Sequence, residues 1–596
     1  MRLTATVSIS YKILWVAMMV FGTGAVSIYC LWMMVNGATR YTEQQYGAKT
    51  GHRQRGLSVL KDITRDVSLR QKSKLKIVDP PVDGEFKAQP KEERVEFDAI
   101  RRVYPEEYAL RDVSKLTSST KSSYRIKGDR QNVQLGDTLH VVIQARDSRS
   151  KDREEGGDFW FATLATKQNS SGTAGRIIDH DNGTYSAYFT VGWPGSVALE
   201  VRLVHPSHVA AVMTSVIWNE RDRVEWTGRF QMAPNSTIKS DRRCLLRRQY
   251  VPLISECVMT YPKAMGQTVL VCDAPEKGIP CSGLNALYPN LTAVNDRIKS
   301  FTRNYYQVFS GDYFKRRLTR GPSKLLIKAS EHRRKKLMRD QESLPACQPD
   351  QSSPSHGLGY WEKNIWHSHL CRTKESWNNP SEIGECFRSK EVFFLGDSVM
   401  RRWMEILSGM MGFPFLGRAS EDEDVHIKLP SLNSSLTFLL QSLTFSSKGT
   451  PHLKPIFEAD ILDFMRNKGC NYVVAMGSWA HFSRWTRESF VERVGLLREA
   501  VVRLKTNCPA AKVVVAGPHP LSQPNKESRI HVNDLIIHNM GEILEDAFSQ
   551  SGALYLDRWD LNVGYPSSKK LHMPTEVIQG ELSIFLSYVC GEGDTG

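Results

Sequence analysis

Two hydrophobic periods divide the chain. From about Ser123 the apolar positions recur every second residue. Leu139, Val141 and Ile143 alternate with His140, Val142 and Gln144, which predicts a half-buried strand. Asp158 to Thr163 reads as another. Tyr185, Ala187, Phe189 and Val191 alternate after the turn Asp181-Asn182-Gly183, the pattern of a hairpin. Val197, Leu199, Val201 and Leu203 repeat the alternation up to His205-Pro206. Several short strands parted by turn residues predict an immunoglobulin-like β-sandwich, a module that usually binds rather than catalyses.

From Glu391 the period lengthens. Val392, Phe393, Phe394 and Leu395 form a continuous apolar run, as a central parallel strand requires. Val399, Trp403, Ile406, Leu407 and Met410 follow at helical spacing. Strands are then predicted at Tyr472 to Met476, Lys512 to Gly517 and Ala553 to Asp557, and helices at Arg487 to Lys505, His531 to Ser549 and Thr575 to Cys590. This alternation predicts a doubly wound parallel sheet with helices on both faces. The strand–turn–helix EVFFLGDSVMRRW then presents Ser398 at the carboxyl edge of that sheet, where ligands bind in such folds. Gly396-Asp397-Ser398 also occurs in ordinary turns, in which Asp397 would only cap the helix. Its place after an apolar strand favours a nucleophile.

Ile13 to Val35 is an uncharged run long enough to cross a bilayer and reads as a retained signal-anchor, with a cleaved signal peptide as the alternative. Arg40, Lys49, Arg53 and Arg55 follow it against only Arg2 and Lys12 before it, so the positive-inside rule alone keeps the long side in the cytosol. Five sequons downstream, at Asn169, Asn182, Asn235, Asn290 and Asn433, argue otherwise. So do ten cysteines after Cys30, an even number suited to disulfides. The bulk of the chain is therefore placed in the secretory lumen or outside the cell. Gly37 to about Ser118 is charged, aperiodic and read as a stem, with a short helix at most over Val95 to Leu110.

At 596 residues the chain needs more than one core, and a composition 41% hydrophobic and 24% charged is globular. A formal net charge of +15 is read first as a solvated basic surface and second as favouring acidic partners such as sialylated or sulfated glycans, anionic lipid or nucleic acid. Nothing resembling a nucleic-acid motif accompanies it, so nucleic acid is not expected as a partner. Lys315 to Arg339 is a basic tract, read first as a solvated connection and second as a contact for an acidic glycan or a cleavage site for a basic-site protease. Cys244, Cys257, Cys272 and Cys281 lack tight Cys-x-x-Cys pairs, so a disulfide-stapled lobe is expected rather than zinc, and no metal is required.

EEGGDFWFATL, DNGTYSAYFTVGWPGSVALEVRLVHPS and this cysteine cluster resemble the neurexophilin-like domain of the NXPE family, proteins with neurexophilin and PC-esterase domains. SHGLGYWEKNIWHSHLC and FFLGDSVMRRWMEIL resemble the start and nucleophile block of its PC-esterase domain. The expected organisation is a cytoplasmic tail over residues 1–12, a transmembrane signal-anchor over 13–35 and a stem over 36–118. A neurexophilin-like sandwich with a Cys-rich lobe follows over 119–290, then a basic connection over 291–340 and an α/β/α SGNH-hydrolase-like domain over 341–596.

A serine nucleophile needs a base, commonly a histidine held by a third group. His572 follows the last predicted strand, as the histidine does in the SGNH-like fold that PC-esterase domains resemble. That fold usually carries an aspartate three residues earlier, and here the position is Lys569. Asp557 or Asp560 would have to approach from the strand end, or a Ser-His dyad would have to suffice. The oxyanion donors expected are the backbone N–H groups of Ser398 and Gly477, in a block that lacks the asparagine SGNH hydrolases often use. His481 and His519, in loops after strands, are weaker substrate-binding candidates. The resemblance implies a single-pass type II protein of the Golgi or ER lumen, or a secreted one if the anchor is cleaved. Its activity would be that of an acyl-esterase or O-acetyltransferase on glycan or glycoprotein hydroxyls, with no bound cofactor and acetyl-CoA as donor if it transfers. The alternative is a catalytically inactive adhesion or ligand protein that binds a cell-surface partner through the sandwich.

Overall fold

In the computed structural model, the described residues are 77–78 and 112–591, except 130, 167–169, 220–224, 234–235, 249–255, 290–305, 355, 375–376, 415–423, 442–449, 452–456, 466–469, 524–525 and 567–570. The apolar run 13–35, the stem helix expected over 95–110, Lys569 and the sequon asparagines Asn169, Asn235 and Asn290 lie outside them. Among the described residues no helix is long and apolar enough to cross a membrane. Residues 66–596 form one compact unit.

The alternating segments fold as two antiparallel sheets packed face to face. Strands β1 (Ser123–Lys127), β2 (Thr138–Gln144), β3 (Phe159–Thr166), β4 (Ser171–Ala174), β5 (Arg176–Asp179), β6 (Thr184–Thr190) and β7 (Gly195–His205) supply them. One sheet runs β1-β2-β6-β5; in the other, β3 lies between β7 and β4. Period-two burial places Val141, Ile143, Tyr185, Ala187 and Phe189 of the first sheet against Trp160, Ala162, Leu164, Leu199, Val201 and Leu203 of the second. Asp179↔Tyr185 and Arg176↔Tyr188 close the predicted hairpin.

A third antiparallel sheet holds β8 (Glu225–Gln231), β9 (Lys239–Arg248), β10 (Glu256–Thr260), β11 (Thr268–Asp273) and β12 (Leu284–Pro289). Disulfides Cys244–Cys272 and Cys257–Cys281 staple it. Cys347–Cys371, Cys386–Cys590 and Cys470–Cys508 complete the pairing of all ten cysteines after the apolar run. Five disulfides mark an oxidising, secretory compartment.

The basic tract is more than a solvated connection. Its strands β13 (Arg316–Arg317) and β14 (Lys324–Ile327) both pair with β7, and Leu318, Leu325 and Ile327 enter the sandwich core. Helix α1 (Glu331–Glu342) follows. Nor does the structure part at residue 341. The hairpin β15 (Gly359–Glu362) and β16 (Ile365–Ser368) extends the sandwich sheet, with Trp361 opposite Gly172 of β4. Neighbouring residues of a strand point to opposite faces. Tyr360 accordingly joins the sandwich core, while Trp361 joins the core of the C-terminal part and donates from Nε1 to Leu561 O at 2.8 Å.

The C-terminal part is built on a six-stranded sheet. Its elements are β17 (Glu391–Gly396), α2 (Ser398–Met410), β18 (Val425–Leu429), β19 (Ser434–Leu440), α3 (Glu458–Met465), β20 (Tyr472–Gly477), α4 (Arg487–Asn507), β21 (Lys512–Ala516), α5 (Asp534–Phe548), β22 (Leu554–Leu556), α6 (Trp559–Gly564) and α7 (Thr575–Val589). The strand order is β18-β19-β17-β20-β21-β22, parallel except for β18. β17 is central, flanked by β19 and β20, which explains its unbroken apolar run. The helix predicted to start at His531 instead begins at Asp534, because the Asn533 side chain accepts from Ile536 N and caps it.

Candidate active site

Ser398 owes its position to two local constraints. Gly396, at φ 153°, ends β17 where an added Cβ would lie 2.9 Å from Gly477 O and 2.7 Å from Met400 Cγ, so only glycine fits the turn. Asp397 then caps α2 by accepting from Val399 N at 2.9 Å. Ser398 is thereby the first residue of a 13-residue helix, its own N–H among the first-turn amides without an intrahelical partner. Val399, Trp403, Ile406 and Leu407 bury the opposite face and fix that helix on the sheet.

His572 arrives from 174 residues away in sequence. Its Nε2 lies 2.8 Å from Ser398 Oγ. The two sequence candidates for nucleophile and base are thus in hydrogen-bond contact, half-exposed and exposed at the sheet edge. Gly477 ends the neighbouring strand, paired with Gly396, so its backbone stands beside the serine turn.

Asp557 and Asp560, the carboxylates expected from the last strand, do not complete a triad. Asp557 accepts from Trp559 N, the first residue of α6, at 2.8 Å, and its electrostatic neighbours are His538, Arg176 and Arg558. Asp560 accepts from Leu358 N at 3.3 Å and faces Asp557 and Arg176. The reason is topological: α6 begins directly after β22 and turns both carboxyls toward the sandwich rather than toward α7. Among the described residues no carboxylate bonds His572.

The carboxylate that does sense the candidate site is the one next to Ser398. Asp397 is fully buried, and burial raises its pKa, while His481, the Val399 N–H, Arg558 and His572 act in the opposite direction. Its Oδ2 makes no hydrogen bond among the described residues. His481, half-buried in the loop after β20, is therefore close enough for its charge to act on Asp397. His519 is buried; its Nδ1 donates to Pro520 O at 3.2 Å, and its ring stands edge-on to Trp479 at 5.0 Å.

A small cavity of about 10 Å³ adjoins His572, walled by Val399, Arg402, His519, Arg558 and Glu581. Arg558 and Glu581, which the sequence reading passed over, form the buried floor of the site. Arg558 Nε donates to Gly517 O at 2.6 Å and Nη1 to Glu581 Oε2 at 3.0 Å. Trp403 Nε1 at 2.7 Å and Asn562 Nδ2 at 2.9 Å also donate to Glu581. This network ties α2, α6, α7 and the end of β21 together under the segment that carries His572. Glu581 was detectable as a carboxylate among Ile578, Leu582 and Phe585 on the apolar face of α7, where an acid needs a buried cation.

Among the described residues no cluster of three or more His, Cys, Asp or Glu side chains fits a metal ion. The arrangement is that of a serine with a base in contact, a glycine-flanked turn and first-turn helix amides, which can activate a hydroxyl and hold a developing oxyanion.

Comparison with known proteins agrees with this two-part construction. Residues 366–590 match the family described as NXPE family member 4-like, C-terminal domain, and residues 105–290 match the family described as Neurexophilin. Among solved structures, a match to FdeC, described as a novel broadly conserved Escherichia coli adhesin, has 12% identity and a TM-score of 0.13. It covers 36% of this chain and 65% of that one, and its score is too low to relate the folds. With both of its characteristic domains present in order, the chain belongs to the NXPE family of secretory-pathway proteins.

Proposed function

We propose that the chain is a serine acyl-esterase or O-acyltransferase of the SGNH-hydrolase-like kind, acting on hydroxyls of glycans or glycoproteins. The observation that carries this reading is the 2.8 Å contact between His572 Nε2 and Ser398 Oγ at the carboxyl edge of a parallel sheet. Ser398 Oγ attacks the acyl carbonyl carbon and its proton passes to His572 Nε2. The N–H groups of Ser398 and Gly477 face the oxyanion. As the intermediate collapses, the bond from the acyl carbon to the leaving atom breaks, and His572 returns the proton to that atom. Water or an acceptor hydroxyl then attacks the acyl-serine, with His572 taking its proton and returning it to Ser398. Acetyl-CoA is the expected donor for transfer. The N-terminal sandwich, read as immunoglobulin-like and neurexophilin-type, presents the substrate, and the apolar run 13–35 anchors the chain in the membrane as a type II protein. Asn182 and Asn433 are exposed sequon positions that suit glycosylation.

A second reading, a ligand-binding protein with a silent C-terminal part, draws on the absence of any carboxylate bonded to His572 among the described residues. A fluorophosphonate probe separates the two. The purified chain is expected to be labelled and Ser398→Ala is not; equal labelling of both, or of neither, overturns the enzyme reading. A glycan acetylation assay on the same pair then distinguishes esterase from transferase.

A further inference from the structure

The basic tract forms, together with β1, a seam of cations along one edge of the sandwich. Tyr124 N donates to Arg320 O at 2.9 Å, and Ser123 and Arg320 are bridge partners, so β1 of one sheet and the tract joined to the other run side by side. Leu318 N donates to Val201 O at 2.9 Å and Leu199 N to Ser323 O at 3.1 Å, fixing the tract along β7. The apolar residues of both segments point inward: Tyr124, Leu318, Leu325 and Ile327 are buried. Their neighbours Arg125, Lys127, Arg316, Arg317, Arg320 and Lys324 are all exposed.

Compensating acid is scarce there. Glu200 lies 3.8 Å from Arg317 and also bonds Arg202, while among the described residues no carboxylate pairs with Arg125, Lys127, Arg316, Arg320 or Lys324. Burial, Lys127 and Arg125 together lower the pKa of His140 on the neighbouring strand β2, where it pairs with Lys127 of β1. An ordinary solvated face interleaves both signs; this one does not. The cations also stand on paired strands and an anchored tract rather than on a mobile tail, so less chain entropy is lost when they are bound.

We propose that this seam binds a linear sulfated polysaccharide. Such a chain is extended, carries anions at regular intervals and matches a narrow row of cations better than a flat surface does. Guanidinium groups suit sulfate oxygens because they donate in a fixed fork. The secretory disulfides place the seam on the side of the membrane where such chains occur. A bilayer fits less well, because the tract exposes only two large apolar side chains, Leu326 and Met338, which lie on separate elements, β14 and α1. The seam is built from strands remote in sequence from Ser398 and does not depend on the activity proposed there.

The test is binding of the full chain to a heparin oligosaccharide in about 0.15 M salt, with hyaluronan and phosphatidylserine vesicles as other polyanions. Arg125→Ser/Lys127→Ser/Arg320→Ser is expected to weaken heparin binding about tenfold or more, each lost charge-assisted contact contributing. Lys239→Ser/Lys277→Ser/Lys428→Ser removes the same charge from exposed positions elsewhere and is expected to change it less than about twofold. Arg320→Ser alone guards against misfolding, because the main-chain carbonyl of Arg320, not its side chain, holds Tyr124; it is expected to lose part of the affinity. Equal loss in both triple variants, no heparin binding at this salt, or equal or tighter binding of hyaluronan or vesicles overturns the proposal.

Discussion

Asp397 does two things at once. One carboxyl oxygen caps the helix that begins with Ser398, and the buried charge faces His572, His481 and Arg558. Under the proposed mechanism, where His572 bonds no carboxylate among the described residues, that carboxylate would be the local counterweight to an imidazolium at His572. Asp397→Asn separates the two roles, since an amide oxygen still accepts from Val399 N while the charge is gone. Under the proposed mechanism, turnover is expected to fall about 10- to 100-fold with the melting temperature nearly unchanged. Steady-state kinetics and thermal unfolding of the same variant check this; a fall in stability without loss of turnover would assign Asp397 to capping alone.

At the scale of elements, the loop after β20 is held from behind by a buried ion pair. Glu458 of α3 accepts from Arg493 of α4 at 2.5 Å and from Ser478 Oγ at 2.7 Å, and the Arg493 guanidinium lies 4.3 Å from the Phe482 ring centre. Both charged side chains are at most 4% exposed. Removing one partner strands the other in the core, so Arg493→Ala is expected to cost about 3–5 kcal/mol in a denaturant titration. Because Ser478 and Phe482 flank His481, protease cleavage between Gly477 and Arg487 is expected to accelerate in the same variant. The loop is thus braced by helices behind the sheet as well as by its own turn, in which Phe482 N donates to Trp479 O at 3.0 Å.

At the scale of the molecule, the sandwich and the C-terminal part share a hairpin, and carboxylates lie at their junction. Asp560, bonded to Leu358 N, is pushed up to about 7 by desolvation and the nearby charge of Asp557. The folded state therefore holds a proton that the unfolded chain releases above a pKa near 3.8. Stability from this group is fully present below that value and is lost as pH rises through about 7. Asp560→Asn is expected to match the wild type near pH 3, below the unfolded pKa, and to melt increasingly higher than it from pH 5 to pH 8, as pH-resolved thermal unfolding would read. A variant that melts lower at every pH would mean that the Leu358 contact needs the carboxylate.

Much of the architecture was legible along the chain because period and position are local. Alternation marked β2, β6 and β7, and the apolar strand before Gly396-Asp397-Ser398 marked the central strand and the turn that carries Ser398. The flanking strands β18 and β19 and the hairpin β15–β16 were not legible. β18, β15 and β16 are short, and β15 takes its place from a partner distant in sequence, β4, through Trp361. The site divides in the same way. Ser398 and His572 could be named from sequence, because a turn after a strand and a histidine before the last helix are local patterns. Their 2.8 Å contact, the turning away of Asp557 and Asp560, and the approach of Asp397, Arg558 and Glu581 required the packed sheet. Residue types and periods determined which elements form and which side chains can react; the crossing of the chain over itself decided which of them meet, because contacts between groups far apart in sequence are set by burial and pairing of whole elements.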